Sequence, residues 1–167
     1  MLEKIAEAML RARDALQMEF ARLHRAMLVI ARKNEVCRRL MSVPGVGALI
    51  AVTFTSAVDY PERFSRSRAV GAHFGLTPKK YQSGETDITG AVSRVGDPTV
   101  RTALYEGAHI LLTRAVRFSA LKRWALEVAK RRGMRRAKVA LARKLSTVLH
   151  RLWVDGSEFR FGEEAAA

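Results

Sequence analysis

Four scarcities bound this chain before any motif is read. One cysteine, Cys37, stands in 167 residues, so neither an intrachain disulfide framework nor a cysteine zinc cluster can be built, and a reducing cytoplasm is the expected compartment. Residues 1–42 hold neither glycine nor proline, so nothing in that stretch punctuates a helix. No apolar run approaches the roughly 20 residues of a membrane span, and the first residues lack the basic-then-apolar pattern of a secretory signal. Acids are the fourth shortage. Only 16 Asp and Glu face 30 Lys and Arg, a formal charge of +14. That excess predicts a polyanionic partner, nucleic acid first and an anionic membrane surface second, and says little about fold.

What is present is largely helical. Leu2, Ile5, Met9, Ala12, Leu16, Phe20, Leu23, Met27 and Ile30 recur at steps of three or four, which is one face of a helix. Arg11, Arg13, Arg22, Arg25 and Arg32 lie mostly off that stripe. Its length and narrowness predict a coiled-coil-type pairing helix over 1–34 and a homo-oligomer formed through it. Asn34 is the expected break, followed by a short helix over 35–41. Pro44 and its glycine neighbours force a turn. Residues 48–57 read as a buried helix, with a strand as the alternative because Val and Thr are frequent there. Ser65 is a candidate N-cap for a helix running to Phe74, with Gly75 as its terminator. Residues 79–90, polar and glycine-bearing, read as a loop or short hairpin. Asp97-Pro98 marks a helix start with Asp at the cap and Pro at the first position, and that helix is expected to run to Thr113. Two more helices, 119–130 and 135–153, flank Gly133. Residues 158–167 read as a flexible tail.

Three segments carry chemistry. The first is Val43-Pro44-Gly45-Val46-Gly47, a helix-hairpin-helix-like element. Gly45 is suited to positive φ, and Gly47 to close approach of a phosphate toward the amides opening the next helix. Such contacts hold backbone and not bases. A plain helix–helix turn explains the pattern equally well, though Arg38 and Arg39 beside it favour the grip. The second is the run Lys130, Arg131, Arg132, Arg135, Arg136 and Lys138, extended by Arg143 and Lys144. Few acids interleave, so salt bridges cannot absorb this charge, and phosphate binding is the better reading than a solvated face. Trp124 and Trp153 sit at apolar helical positions and read as core, not as base-stacking platforms. The third is the stretch 79–97. Ser83 precedes Gly84 there, and pattern alone makes that a turn. Glu85, Asp87 and Asp97 read as solvated turn residues, so no metal site is drawn from them. His73 and His109 lack triad-like spacing and read as satisfied structural histidines.

The run from Gly75 to Leu104, GLTPKKYQSGETDITGAVSRVGDPTVRTAL, following the Val43–Gly47 signal, resembles the C-terminal domain of the DEDD-type insertion-sequence transposases, the bridge-RNA-guided family. The resemblance spans about Leu40 to Trp153. It implies that Ser83, after Gly75-Leu76-Thr77-Pro78 and directly before a glycine, matches the family's nucleophilic serine. Ser93 matches a position that alternates with Thr, and loop pinning is its expected role. Arg94 and Arg101 match phosphate or scaffold arginines. Gln82 departs from the second serine that many relatives carry. The resemblance further implies a Holliday-resolvase-like nuclease domain with four acidic residues, which has no counterpart here. That domain would hold a divalent metal of magnesium type, so no cofactor is expected in this chain itself. DNA, a guide RNA and multimers are the implied partners.

The expectation is therefore a mainly α-helical protein. A long pairing helix precedes a compact helical domain over 35–157, with the serine on a loop or short β-hairpin. The implied function is DNA transposition or recombination, with Ser83 attacking a phosphodiester. The alternative is a non-catalytic fragment that binds nucleic acid and oligomerises. A basic RNA-binding protein of ribosomal type accounts for the charge but not for the Gly75–Leu104 match.

Overall fold

The computed structural model describes residues 1–83 and 86–162; at 81, 82 and 86–89 it describes backbone alone. Among these residues are seven α-helices and one two-stranded sheet. The first helix, α1 (Leu2–Lys33), has no break in its 32 residues, a length of about 48 Å. Asn34 leaves helical geometry at φ −82°, ψ 118°, and its Oδ1 accepts the Cys37 N–H at 3.0 Å, capping α2 (Glu35–Leu40). The next helix, α3 (Ala48–Val58), is the helix and not the strand that Val and Thr left open. Burial of Ile50, Ala51, Phe54 and Val58 outweighs propensity there. Thr55 satisfies its hydroxyl within the same helix, donating to Ala51 O and Val52 O, both at 3.0 Å.

A single 3-10 turn, Pro61–Arg63, leads to α4 (Ser67–His73). This helix starts later than Ser65 predicts, with Arg66 at the cap and no side-chain capping bond. The reason is tertiary, because Ser67 Oγ lies 3.0 Å from Nδ1 of the buried His150. His150 Nε2 faces Pro61 O at 2.8 Å. A carbonyl only accepts, so Nε2 carries a proton, and in the neutral ring Nδ1 accepts from the serine. His150 is thus the satisfied structural histidine. His73 instead is exposed, edge-on to Phe64 and Phe74. Nor is His109 satisfied as expected, since its buried Nδ1 has no hydrogen-bond partner among the described residues.

Strands β1 (Pro78–Ser83) and β2 (Thr86–Val92) form an antiparallel hairpin. Helix α5 (Pro98–Thr113) opens as its sequence predicts, with Asp97 Oδ1 accepting the Thr99 N–H at 2.7 Å and Pro98 in the first turn. Ser119 caps α6 (Ala120–Arg132) by accepting the Lys122 N–H at 3.2 Å. Gly133, at φ 80°, joins it to α7 (Met134–Asp155).

Helix α7 is central. α4, α5 and α6 pack on it, and α3 packs on α5. Phe54, Phe74, Leu104, Leu111, Leu141, Leu145 and Leu149 fill the space between them. The segment after α7 differs from the expected free tail. Phe159 N–H donates to Ser42 Oγ at 2.8 Å, Ala120 N–H donates to Phe161 O, and Arg117 lies 3.8 Å from the Phe161 ring centroid. Residues 163–167 of that tail lie outside the described residues. Among the described residues, helix α1 meets the body at its end, where Ala31 is fully buried and α2 and α3 pack on it. Leu2, Ile5, Met9, Leu16, Phe20 and Leu23 are exposed along the rest. No helix among the described residues is long and apolar enough to cross a membrane.

Candidate functional site

The turn between α2 and α3 is tight. Val43 N–H donates to Leu40 O and Val46 N–H to Val43 O, while both valine side chains enter the core. Its two glycines face opposite environments. Gly45 has φ 84°, and a Cβ there would lie 2.4 Å from the Gly107 carbonyl of α5. That glycine is required by packing. Gly47 is the cap residue of α3, is exposed, and a Cβ there would meet nothing within 4 Å. Open space therefore lies at the helix start, where amides lack intrahelical acceptors. Of the flanking cations, Arg38 is exposed, whereas Arg39 is half-buried and paired with Glu35.

The hairpin holds the serine. Ser83 is the exposed last residue of β1, paired with Thr86, the first of β2. Gly84, which follows Ser83, lies with Glu85 outside the described residues. The register slips by one residue between Pro78/Val92 and Lys80/Thr89, a bulge on the β2 side. A bulge adds local twist and re-aims the strand beyond it, and Ser83 is beyond it. Among the described residues no helix packs broadly against either strand, and the hairpin is held at its root. There Ser93 N–H donates to Thr77 O at 2.9 Å and Arg94 N–H to Gly75 O at 3.1 Å. The pinning expected of Ser93 is thus carried by its backbone amide.

Arg94 is exposed and adopts φ 56°, the left-handed region, without being glycine. Such a conformation costs about 1–2 kcal/mol. Arg101 is half-buried, and its Nη1 donates to Phe74 O at 3.3 Å and Gly96 O at 3.4 Å. Of the scaffold and phosphate roles, the scaffold one accounts for these bonds.

The third group sits where α6 meets α7. Arg132, Arg135 and Arg136 are exposed and make no ion pair among the described residues. Lys130 pairs with Glu127 at 3.2 Å, and Arg131 Nε donates to the Glu127 carbonyl at 3.4 Å. Lys138 is half-buried, 5.9 Å from the Tyr105 ring centroid on α5, and Lys144 lies 4.1 Å over Trp124. Trp124 and Trp153 are partly buried against the core, as their positions predict. Among the described residues no cluster of His, Cys, Asp or Glu is placed to hold a metal ion.

Helix α5 connects the three groups. Arg101 in its first turns latches the hairpin root, Tyr105 lies under Lys138, and Gly107 and Leu111 back the Gly45 turn. From Arg101 to Leu111 is about 15 Å along the axis. Sequence reasoning did not find the crossing of the two segments at the hairpin root. Its only signal was a glycine on each side, Gly75 and Gly96.

Comparison with known proteins places the turn, the hairpin and α5 in one family. The family model described as "Transposase IS116/IS110/IS902 family" matches residues 37–123, just over half of the chain. The match takes in the Gly45–Gly47 turn, the hairpin and α5. The chain is 37% identical over 135 residues to the transposase for insertion sequence element IS1111A of Coxiella burnetii, covering 80% of this chain and 37% of that protein. It is 30% identical over 146 residues to the putative transposase y4pF/y4sB of Sinorhizobium fredii, covering 86% and 38%. It is 29% identical over 137 residues to a probable family 20 transposase of Pseudomonas aeruginosa, covering 81% and 40%. The chain thus spans well under half the length of these relatives.

Proposed function

The chain belongs to the IS116/IS110/IS902 transposase family, and from that premise we propose that it acts in insertion-sequence transposition, gripping nucleic-acid backbone and supplying Ser83 as the nucleophile of strand exchange. The observation that carries this reading is the placement of Ser83. It is exposed at the far end of a hairpin whose root is fixed to α4 and α5. Its Oγ attacks a backbone phosphorus, a P–Oγ bond forms, and the bond to one bridging oxygen breaks. The serine proton leaves to a base, and the departing strand takes a proton on its freed hydroxyl. Attack by a hydroxyl of the incoming strand then reverses the step and restores the serine. One phosphodiester replaces another, so no external energy source is needed.

A serine hydroxyl needs activation. We assign that to an acidic nuclease domain holding a divalent metal, as the resemblance implies. No step is derived through that ion. DNA is the substrate in this reading and a guide RNA the second nucleic acid. Arg38, Gly47, Arg94 and the α6–α7 cations are the groups available to phosphates, with Arg39 and Gly45 supporting them from behind, while Arg101 holds the hairpin root.

The test is to trap a protein–DNA adduct with the acidic nuclease domain supplied in cis or as a separate chain, and to map the modified residue. The expected adduct is on Ser83, with Ser83→Ala abolishing recombination and leaving nucleic-acid affinity unchanged. An adduct elsewhere, or full activity in Ser83→Ala, removes the assignment. The surviving reading would then be a non-catalytic binding module, which the basic face of α6 and α7 supports because it is built without Ser83.

A further inference from the structure

We infer that the crossing of residues 73–77 with residues 93–97 is a clamp that aims the serine hairpin, and that Arg101 is its positioning residue. The inference rests on the proposed role of Ser83 for its function, though not for its geometry.

Two backbones meet at the root without intervening side chains. A Cβ on Gly75 would lie 2.1 Å from Val95 O and 2.5 Å from Val95 N. A Cβ on Gly96 would lie 2.1 Å from His73 O. Both glycines have positive φ, 65° and 89°, so each is required twice, by conformation and by space. The contact is reciprocal, since each glycine meets the backbone of the segment that holds the other. Arg101 closes the crossing with one Nη1 shared between Phe74 O and Gly96 O, one carbonyl from each segment. Ser93 N–H to Thr77 O and Arg94 N–H to Gly75 O add two rungs. The clamp is anchored in the core, because Phe74, Leu76 and Val100 beside it are buried.

This arrangement exceeds what a two-stranded hairpin needs to exist, because strand pairing already ties β1 to β2. What pairing cannot set is the hairpin's direction relative to the helices, and among the described residues no helix packs broadly against either strand to set it. The clamp supplies that direction. The left-handed Arg94 lies inside the crossing, and the same clamp fixes its backbone. A nucleophile that must meet a phosphorus held elsewhere loses rate steeply when displaced, about a hundredfold for a shift on the order of 1 Å.

The test reads direction first and chemistry second. In this chain with Cys37→Ala, spin labels at Ser83→Cys and Thr102→Cys report hairpin against α5, and labels at Thr102→Cys and Arg151→Cys report α5 against α7. Arg101→Met is expected to broaden the first distance distribution and leave the second unchanged, with Arg101→Lys restoring part of the first. Gly96→Ala is expected to shift it, and Arg101→Met decides the question if that variant does not fold. With Ser83 intact and the nuclease domain supplied, Arg101→Met is expected to lower the strand-exchange rate about a hundredfold at unchanged DNA affinity. An unchanged hairpin distance in Arg101→Met overturns the clamp. So does equal broadening of both label pairs, which would mark general loosening, and so does a loss of DNA affinity with a shallower salt slope, which would make Arg101 a phosphate contact. Should Ser83→Ala stay active, the serine reading falls, while the distance measurement, which needs no chemistry, still decides the clamp.

Discussion

At the residue scale, glycines that look alike in a motif turn out to be held by different forces. Gly45 and Gly47 are two positions apart, yet one meets a backbone carbonyl of α5 and the other meets open space. Gly45→Ala forces a Cβ into the Gly107 carbonyl at a positive-φ position, and the expected cost is about 2–4 kcal/mol from left-handed strain and overpacking together. Urea unfolding should show it as a lower midpoint with an unchanged slope. Gly47→Ala meets no atom and has φ −94°, so its cost is confined to a poorer cap, about 1 kcal/mol. If a phosphate approaches the backbone at Gly47, the same substitution weakens DNA binding beyond that stability loss. Equal destabilisation by both substitutions would contradict the packing described for Gly45. Nucleic-acid affinity untouched by Gly47→Ala would take the grip away from this turn and leave it a helix–helix joint.

At the element scale, what was legible in the sequence follows from how local each signal is. Asp97-Pro98 sets the start of α5 because a cap and a first-turn proline act within a few residues. The apolar periodicity sets α1 because nothing interrupts it. The failures are tertiary. Ser65 is a better cap by composition than Arg66, but His150, more than 80 positions away, fixes Ser67 in the first turn of α4. The docked segment at Phe159–Phe161 depends on Ser42 and Ala120, which no local pattern connects to it. The clamp joins segments about twenty residues apart and shows in sequence only as two glycines. The reading of Ser83 as a nucleophile rests on family resemblance and not on chemistry, since a lone Ser-Gly is ordinary turn material. Helix α1 carries its own prediction. Leu2, Ile5, Met9, Leu16, Phe20 and Leu23 are exposed on it, and full burial of each contributes about 1.5–3 kcal/mol. Six such residues on each of two helices, even half buried, offset an association cost of about 4–15 kcal/mol. Pairing with a second copy is the expected outcome. Deleting residues 1–30 should convert the larger species to a monomer in sedimentation velocity. A monomeric intact chain at high concentration would contradict the pairing.

At the scale of the whole molecule, the charge excess is unevenly placed, and that placement decides what salt should do. Helix α1 carries seven Lys and Arg against four acids, and Arg11–Glu7 and Arg22–Glu19 pair along it. Surface pairs of this kind contribute little to stability, but they leave α1 with little field of its own. Between residues 114 and 151, by contrast, thirteen Lys and Arg face a single acid, Glu127. Most of the attraction for a polyanion should therefore come from α6 and α7 and little from α1. If about five phosphates are contacted, log K for duplex DNA falls against log salt with a slope of roughly −4 to −5. Replacing Arg132, Arg135 and Arg136 with Gln removes up to three contacts and should shallow that slope by about 2–3. These side chains are exposed and outside the core, so the thermal midpoint should stay close to that of the parent chain. Removing residues 1–30 should leave the slope per bound chain nearly unchanged, although apparent affinity will fall if pairing joins two sites. A flat salt response in the parent chain would end the electrostatic account altogether. A slope that follows α1 and not the three arginines would move the nucleic-acid surface to the long helix.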